Sequence, residues 1–252
     1  MSARGPGTRK GKGGAGKKKG TAGRAGAKGG RAAPHSEGGR PDPRRVRALL
    51  EALARAWPEA ACALEFKTPL QLLVATILSA QCTDKRVNEV TRSLFRKYKT
   101  PSDYADAPPG VLEADIRSTG FFNSKARALR GACAAIRDRF GGKVPRKMEE
   151  LLTLPGVARK TANVVLGTAY GIPAGIVVDT HVSRLARRLG LTRQKSPEKI
   201  EAELMELIPR EEWIDFSHRM ILLGREYCKA RNPACGECPL KALCPSATQE
   251  DK

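Results

Sequence analysis

Residues 152–163 read LTLPGVARKTAN: a short apolar segment, a Pro-Gly turn and the start of a second helical segment. Two helices joined in this way can direct several backbone N–H groups to one point ahead of the second helix, where a phosphate oxygen can bind. Such binding requires no base-specific side chain, so it suits sequence-independent contact with DNA. Leu-Pro-Gly turns also join helices that bind no ligand, and the motif alone leaves that alternative open.

Lys160 lies in the first turn of the second segment, directly after Arg159. A cation is disfavoured at a helix N-terminus, where the helix dipole is positive. The dipole and the neighbouring arginine both favour the uncharged amine, which is a nucleophile. Lys160 is therefore a candidate for amine-based catalysis, with an ordinary surface lysine as the alternative.

A second candidate lies nineteen residues further on, in the sequence VVDTH at residues 177–181. Asp179 precedes the helical pattern HVSRLARRLG and is a suitable N-cap for it. A capping carboxylate is held rigidly and the helix dipole favours its ionised form. Asp179 could therefore stabilise positive charge that develops on a sugar, with a cap of no catalytic role as the alternative. We interpret His181 as structural.

Four cysteines near the C-terminus follow the pattern C-x6-C-x2-C-x5-C, which indicates a metal site in an intracellular protein. Zinc sites usually pair two short hooks of cysteines, whereas iron–sulfur clusters accept wider spacings. The spacing favours iron–sulfur and leaves zinc open. The loop between the first two cysteines carries Lys229 and Arg231, which could contact phosphates or lie free in solvent. The four cysteines are Cys228, Cys235, Cys238 and Cys244.

The chain of 252 residues has a formal net charge of +20, which favours a polyanionic partner such as nucleic acid. The first 33 residues contain ten Lys or Arg and no Asp or Glu. We predict that residues 1–41 form a disordered basic tail, which raises non-specific affinity for nucleic acid or has no specific role. Without a long apolar run or a secretory signal, the protein is expected to be soluble and intracellular.

From about residue 42 onward the sequence predicts an all-α fold with many short helices. Pro43 and Pro69 are placed to open helices, and Asp84 is predicted to cap a helix that ends before Pro101. The only strand-like segment, GIVV at residues 175–178, is short and isolated. Further helical patterns cover roughly residues 123–140, 147–153, 157–170, 181–189, 197–207 and 213–226.

Five motifs together resemble the endonuclease III family of DNA glycosylase/AP lyases. They are LSAQCTD at residues 78–84, GFFNSKA at 120–126, LPGVARKTANVVLGTA from Leu154, VDTH from Val178, and the cysteine pattern. The resemblance covers roughly residues 42 to 246. It implies a two-lobed helix-hairpin-helix DNA glycosylase fold with one 4Fe-4S cluster bound by the four cysteines. The expected parts are the tail at 1–41, a six-helix barrel at 62–172, a cluster lobe at 42–61 and 173–246, and a C-terminal tail at 247–252.

The resemblance also implies roles for single residues. Lys160 would form the Schiff base and Asp179 would be the catalytic aspartate. Gln81 and Phe121 would probe the DNA stack, although by pattern alone they suggest a helix-end amide and a core aromatic. Two positions depart from the family: Ala158 replaces a usual glycine, and Asn232 stands where a basic residue is often found. The expected DNA contacts are completed by Leu154, Gly156, Ala158, Arg159, Lys229 and Arg231.

The implied function is removal of oxidised pyrimidines from duplex DNA, followed by β-elimination at the abasic site. We expect a monomer in the cytoplasm, associated with a bacterial nucleoid and not with a membrane. One alternative is an adenine-mismatch glycosylase of the same superfamily, but that enzyme lacks the hairpin lysine and carries a glutamate where this chain has LVATILSAQ. The other alternative is a helix-hairpin-helix protein that binds DNA without catalysis.

Overall fold

The computed structural model describes residues 40–247. Residues 1–39 of the predicted tail at 1–41, and residues 248–252 of the predicted C-terminal tail at 247–252, lie outside this range. The described chain contains eleven α-helices and no strand, which confirms the all-α prediction for these residues. No helix in this range is long and apolar enough to cross a membrane. The helices are α1 Pro43–Ala56, α2 Pro69–Leu78, α3 Asp84–Lys97, α4 Pro101–Ala105, α5 Val111–Ile116, α6 Phe122–Arg139, α7 Met148–Leu151, α8 Arg159–Val164, α9 Thr180–Arg188, α10 Pro197–Leu207 and α11 Trp213–Glu226.

The starts of the first helices follow ordinary capping chemistry. Thr68 accepts a hydrogen bond from the backbone of α2, and proline occupies the first position of α1 and α2. The prediction that Asp84 caps α3 is wrong. The cap is Thr83, whose Oγ1 lies 3.3 Å from the backbone nitrogen of Arg86. Asp84 is the first helical residue, and its carboxylate forms an ion pair with Arg225 of α11.

Buried apolar side chains form two clusters. The first draws on α2 to α8, with fully buried members such as Leu72, Leu129 and Ile136. The second combines α1 with α9, α10 and α11, and includes Leu53 and Phe216. The N-terminal helix therefore packs on the C-terminal helices, and a cleft lies between the two clusters. The lobe boundaries between 61 and 62 and between 172 and 173 stay a prediction.

The turn of the LPGVARK hairpin rests on α6. Gly156 has a φ of +76°, and a Cβ at this position would lie 2.6 Å from the Cβ of Ala128. Pro155 sits over Gly131 at a similarly close distance, since a Cβ there would meet its ring at 3.0 Å. Glycine is required at 156 by both the left-handed backbone and the contact with α6.

The second hairpin helix differs from the predicted span of 157–170. It begins at Arg159, keeps α geometry only to Val164, and widens into a π turn over Val165–Ala169. Within this turn Gly167 lies close to Ile214 of α11, since a Cβ would approach that side chain to 3.2 Å. The missing side chain lets α11 lie directly against the π turn.

Candidate active site and DNA interface

The N-terminus of α8 has no side-chain cap. Ala158 is the N-cap residue, with an extended backbone (φ −90°, ψ 170°) and a methyl group that accepts no hydrogen bond. Because φ is negative, alanine at this position causes no backbone strain. In residues 40–247 the backbone N–H groups of Gly156 and Ala158 donate no hydrogen bond. The first-turn N–H groups of α8 have no partner within the helix either, so these donors remain available to an anion.

Leu154 does not contribute a donor in the same way. Its backbone N–H donates to the carbonyl of Leu151 at 3.1 Å, and its side chain is buried. Its carbonyl accepts the N–H of Val157, again at 3.1 Å. Leu154 therefore shapes the turn, and the structure gives no support for it as an N–H donor to DNA.

Arg159 is held by an internal carboxylate. Its Nε donates to Oε2 of Glu201 at 2.7 Å, and Asn163 Nδ2 donates to Oε1 of the same group at 2.8 Å. Glu201 lies on α10 and is buried, whereas the Arg159 side chain remains 44% exposed. Gly175 allows the chain that leads to Asp179 to pass directly over this cluster, because a Cβ there would overlap Glu201. Glu201 thus connects α8 to the second apolar cluster.

Lys160 and Asp179 line one cavity of about 140 Å³ in the cleft. Lys160 is exposed, and its ammonium has no hydrogen-bond or ion-pair partner among the described residues. Asp179 is half-buried and caps α9, since its Oδ1 accepts the backbone N–H of Val182 at 2.8 Å. Its other oxygen has no partner within residues 40–247. The cleft therefore combines an unpaired amine with a rigidly held carboxylate.

The wall of this cavity contains further polar groups. Arg225 and Asp84 form their ion pair here, at the point where the two clusters meet. Burial lowers the pKa of His218, and the nearby Asp215 opposes this shift.

His181 is held by packing, because its ring lies against Gly224 and its Nδ1 is 3.2 Å from Arg184. This placement agrees with a structural role for His181.

Gln81 and Phe121 lie together beside the hairpin. Both residues, with Gly156, line a second cavity of about 350 Å³. Both are exposed, Phe121 by 66%, so the interpretation of Phe121 as a core aromatic is wrong. Their φ values are 53° and 49°, in the left-handed region that non-glycine residues rarely adopt. Strained backbone of this kind concentrates at functional sites.

The four cysteines surround one cavity at the end of α11. No three His, Cys, Asp or Glu side chains in the described range converge closely enough to hold a single metal ion. Sulfurs spread around a cavity fit a multi-atom cluster better than one zinc ion. Arg188 of α9 supports the loop between the first two cysteines, donating to the carbonyls of Lys229 at 2.7 Å and Ala230 at 3.0 Å. Lys229 and Arg231 are exposed on this loop.

Comparison with known proteins matches residues 74–210 to the HhH-GPD superfamily base excision DNA repair proteins, and residues 228–244 to the iron–sulfur binding domain of endonuclease III. The chain is 55% identical over 204 residues to the endonuclease III of Synechocystis sp., an alignment that covers 81% of this chain and 93% of that protein. The chain belongs to the endonuclease III family.

Two solved structures of endonuclease III with DNA have the same fold. A non-covalent complex is 48% identical with a TM-score of 0.79, covering 83% of this chain and 98% of that chain. A trapped covalent intermediate is 47% identical with a TM-score of 0.79, covering 84% and 99%. The predicted fold, enzyme class and cofactor are confirmed: the chain is an endonuclease III-type DNA glycosylase/AP lyase of base excision repair with a 4Fe-4S cluster. Neither alternative function is supported, and the roles of single residues stay predictions.

Two residues that support the site, Glu201 and Lys125, were not predicted from sequence patterns. Glu201 supports the hairpin helix, and Lys125 lies beneath Gln81 and Phe121. Both are charged residues on the buried face of a helix: Glu201 lies one turn before Leu204, and Lys125 one turn before Leu129. The feature of the sequence that could have revealed them is a charged residue within the otherwise apolar stripe of a helix.

Proposed function

We propose that this protein releases oxidised pyrimidines from duplex DNA and cleaves the strand at the resulting abasic site, with Lys160 as nucleophile and Asp179 as its carboxylate partner. We further propose that it acts as a monomer at the nucleoid of a bacterial cytoplasm. The observation that carries the proposal is the shared cavity of Lys160 and Asp179. The trapped covalent endonuclease III–DNA intermediate of a relative supports a mechanism that passes through a covalent bond between protein and DNA.

The chemistry follows from an amine next to a carboxylate. The Lys160 amine attacks C1′ of the sugar, the bond from C1′ to the base breaks, and the base leaves with the electron pair and takes up a proton. Asp179 stabilises the positive charge on the sugar and accepts the proton released by the amine. The bond between C1′ and O4′ then breaks, O4′ takes up the proton that Asp179 accepted, and the open-chain sugar remains joined to Lys160 by an imine at C1′. Asp179 is held in place for this role by its hydrogen bond to Val182.

Strand cleavage uses the acidity that the imine creates. Loss of the C2′ proton is followed by departure of the 3′ phosphate oxygen, which breaks the strand on the 3′ side of the abasic site. Water then hydrolyses the imine and returns the free amine of Lys160. Every bond in this sequence breaks heterolytically, so no oxidant or reductant is needed.

The surrounding residues would bind and distort the duplex. The unpaired N–H groups of Gly156, Ala158 and the first turn of α8 would hold a phosphate. Lys229 and Arg231 would contact the backbone from the cysteine loop, which the cluster and Arg188 keep rigid. Extrusion of the damaged nucleotide leaves a gap in the stack. Gln81 and Phe121, exposed side by side, would fill or probe this gap.

The iron–sulfur cluster would be held by Cys228, Cys235, Cys238 and Cys244. When bound, it supplies cross-links that fix the C-terminal loop. Arg188 joins this loop to α9, because its Nη1 also lies 3.3 Å from the sulfur of Cys228. The cluster lobe would thereby support α9, the helix that begins after Asp179.

Borohydride trapping tests the proposal. The purified protein is mixed with a duplex that carries one thymine glycol, and borohydride reduces any imine to a stable secondary amine. We expect a covalent adduct from the wild type and from Lys143→Ala, an exposed lysine away from the cleft. We expect none from Lys160→Ala. An adduct that persists in Lys160→Ala assigns the nucleophile elsewhere, and no adduct from the wild type rejects the amine mechanism.

The substrate class is tested by measuring base release directly from different duplexes. A duplex with an adenine mispaired to an oxidised guanine should give no base release, whereas thymine glycol and dihydrouracil should. Release of the mispaired adenine in place of the pyrimidines would favour the mismatch glycosylase.

Sedimentation of the protein with and without duplex would show whether it remains a monomer.

A further inference from the structure

Lys125 is a buried cation with two backbone partners. Only 5% of the residue is exposed, and burial lowers the pKa of its side chain. Its Nζ donates to the carbonyl of Leu78 at 2.8 Å and to the carbonyl of Thr119 at 2.7 Å. Burying a charge is unfavourable unless it is hydrogen-bonded, so these two bonds determine where the ammonium lies.

The two carbonyls belong to different segments of the chain. Leu78 ends α2, three residues before Gln81, and Thr119 ends a 3-10 turn, two residues before Phe121. The last carbonyls of a helix have no partner within it and carry the negative end of the dipole. A cation is therefore favoured at the end of α2, and the same cation reaches the Phe121 loop.

Both segments then enter the left-handed backbone region. Gln81 has a φ of 53° and Phe121 a φ of 49°. Such conformations in non-glycine residues persist only where the surroundings over-determine them. The backbone N–H of residue 125 also donates to the carbonyl of Phe121 at 3.0 Å, which is the first hydrogen bond of α6 and does not depend on the lysine side chain. The side chain of Lys125 thus fixes the backbone segments that lead into both strained positions.

We propose that Lys125 is a positioning residue, which couples the Gln81 loop to the Phe121 loop so that the two side chains enter the duplex as one unit. The inference rests on the proposed function, in which these side chains act where a nucleotide is extruded. Without the shared ammonium, each loop would keep its own turn but lose its fixed distance from the other. Lys125 contacts no reacting atom, so its effect is on insertion and not on the chemical step.

Two substrates separate insertion from chemistry. One duplex carries thymine glycol opposite adenine, and the other carries it opposite a tetrahydrofuran abasic analogue, where no base has to be separated. Lys125→Met keeps the apolar stem and removes the donors, and the exposed Lys143→Met is the matched control. Single-turnover base release by cluster-loaded Lys125→Met should fall between about tenfold and about 100-fold on the first duplex, and by less than about threefold on the second.

A second measurement reports insertion directly. With 2-aminopurine opposite an uncleavable abasic analogue, wild type and Lys143→Met should give the full change in fluorescence on binding, and Lys125→Met a reduced change at saturation. If Lys125→Met does not fold, Lys125→Gln, which keeps one amide donor group, takes its place. Its rate of base release should fall by a smaller factor, and again more on the first duplex than on the second.

An equal decrease in the rate of base release on both duplexes would overturn the proposal. Lys125 would then have a purely structural role. Unchanged rates and fluorescence would also overturn it. Failure of the proposed function would be recognised separately, because the wild type itself would then release no base from either duplex.

Discussion

The two helices that meet at the cleft begin in opposite ways. α8 begins after Ala158, which offers no cap, so its first N–H groups stay unpaired. α9 begins after Asp179, whose carboxylate accepts one of its own N–H groups. An open helix N-terminus can bind an anion from outside, whereas a capped one holds a negative charge in place. The site therefore needs both kinds of N-terminus, side by side.

The two helices are also tethered differently. Buried Glu201 binds Arg159 and Asn163 of α8, on either side of Lys160. On α9, Arg184 donates to the carbonyl of Cys228 at 2.9 Å and Arg188 to the loop that follows. α8 is thus fixed by a carboxylate of the helical core, and α9 by the cysteine loop. Substitutions at the two helix starts and at the Glu201 tether can separate these contributions.

The largest effect is expected for Asp179→Asn. Asparagine is as good an N-cap as aspartate, so the substitution removes the charge and keeps the cap. The rate of base release should fall by about 10²- to 10⁴-fold, the range for a positioned acid or base. The melting temperature should stay within about 3 °C of the wild type. Single-turnover kinetics on a thymine glycol duplex and thermal unfolding measure the two quantities.

Asp179→Ala completes this test, since it removes the cap as well as the charge. It should lose about 1 kcal/mol of unfolding free energy relative to Asp179→Asn while releasing base at a similarly low rate. A wild-type rate in Asp179→Asn would show that the cap alone matters, and the contrast between the two helix starts would then have no catalytic meaning.

A smaller effect is expected for Glu201→Gln. The substitution keeps the size of the side chain but removes the charge that pairs with Arg159, which loosens α8 around Lys160. We expect a loss of about 1–3 kcal/mol in unfolding free energy and a decrease of about tenfold in base release. Denaturant unfolding and the yield of borohydride adduct over time report the two changes.

The matched control lies on the same helix. Glu203→Gln alters a carboxylate of α10 that accepts hydrogen bonds from Thr192 and Gln194 and has no bond to α8. It should leave the rate of adduct formation unchanged. If Glu203→Gln slows the reaction as much as Glu201→Gln, a general weakening of α10 is responsible and the tether is not specific.

Sequence patterns predicted those parts of the site that are determined by residues close together in the chain. The Pro-Gly turn, the cap at Asp179 and the cysteine pattern depend on residues a few positions apart. Their chemistry can therefore be recognised from spacing. The fold class followed from the same periodicities together with the resemblance to the family. The prediction of Asp84 as the cap of α3 failed because the adjacent Thr83 is also a suitable cap and takes that position. Asp84 instead pairs with Arg225, far along the chain.

The supports of the site could not be predicted in the same way. Glu201 meets Arg159 across 42 positions of sequence, and Lys125 meets Leu78 across 47. Spacing in sequence does not show which distant group a buried charge will meet. The left-handed backbone of Gln81 and Phe121 was equally hidden, since neither is a glycine. It is fixed by the surrounding loops and not by the residue type.

The smallest effect is expected where the open helix start is closed. Ala158 already has the extended backbone of an N-cap, so Ala158→Ser can accept an N–H of α8 without a change in fold. Ala158→Asp does the same and adds a negative charge. Each should raise the unfolding free energy by about 0.5–2 kcal/mol, because a donor that was unpaired gains a partner.

The same substitutions should weaken DNA binding, since the new cap competes with the phosphate for the N–H groups. Ala158→Ser should raise the Kd for duplex DNA by about threefold, and Ala158→Asp by about tenfold, because a carboxylate also repels the phosphate. Fluorescence anisotropy at several salt concentrations measures both constants, and the log–log salt slope should be shallower for Ala158→Asp. Stronger stability with unchanged Kd would mean that the hairpin N–H groups do not bind phosphate. The uncapped N-terminus of α8 would then have no role in binding, and DNA would be held by Lys229 and Arg231.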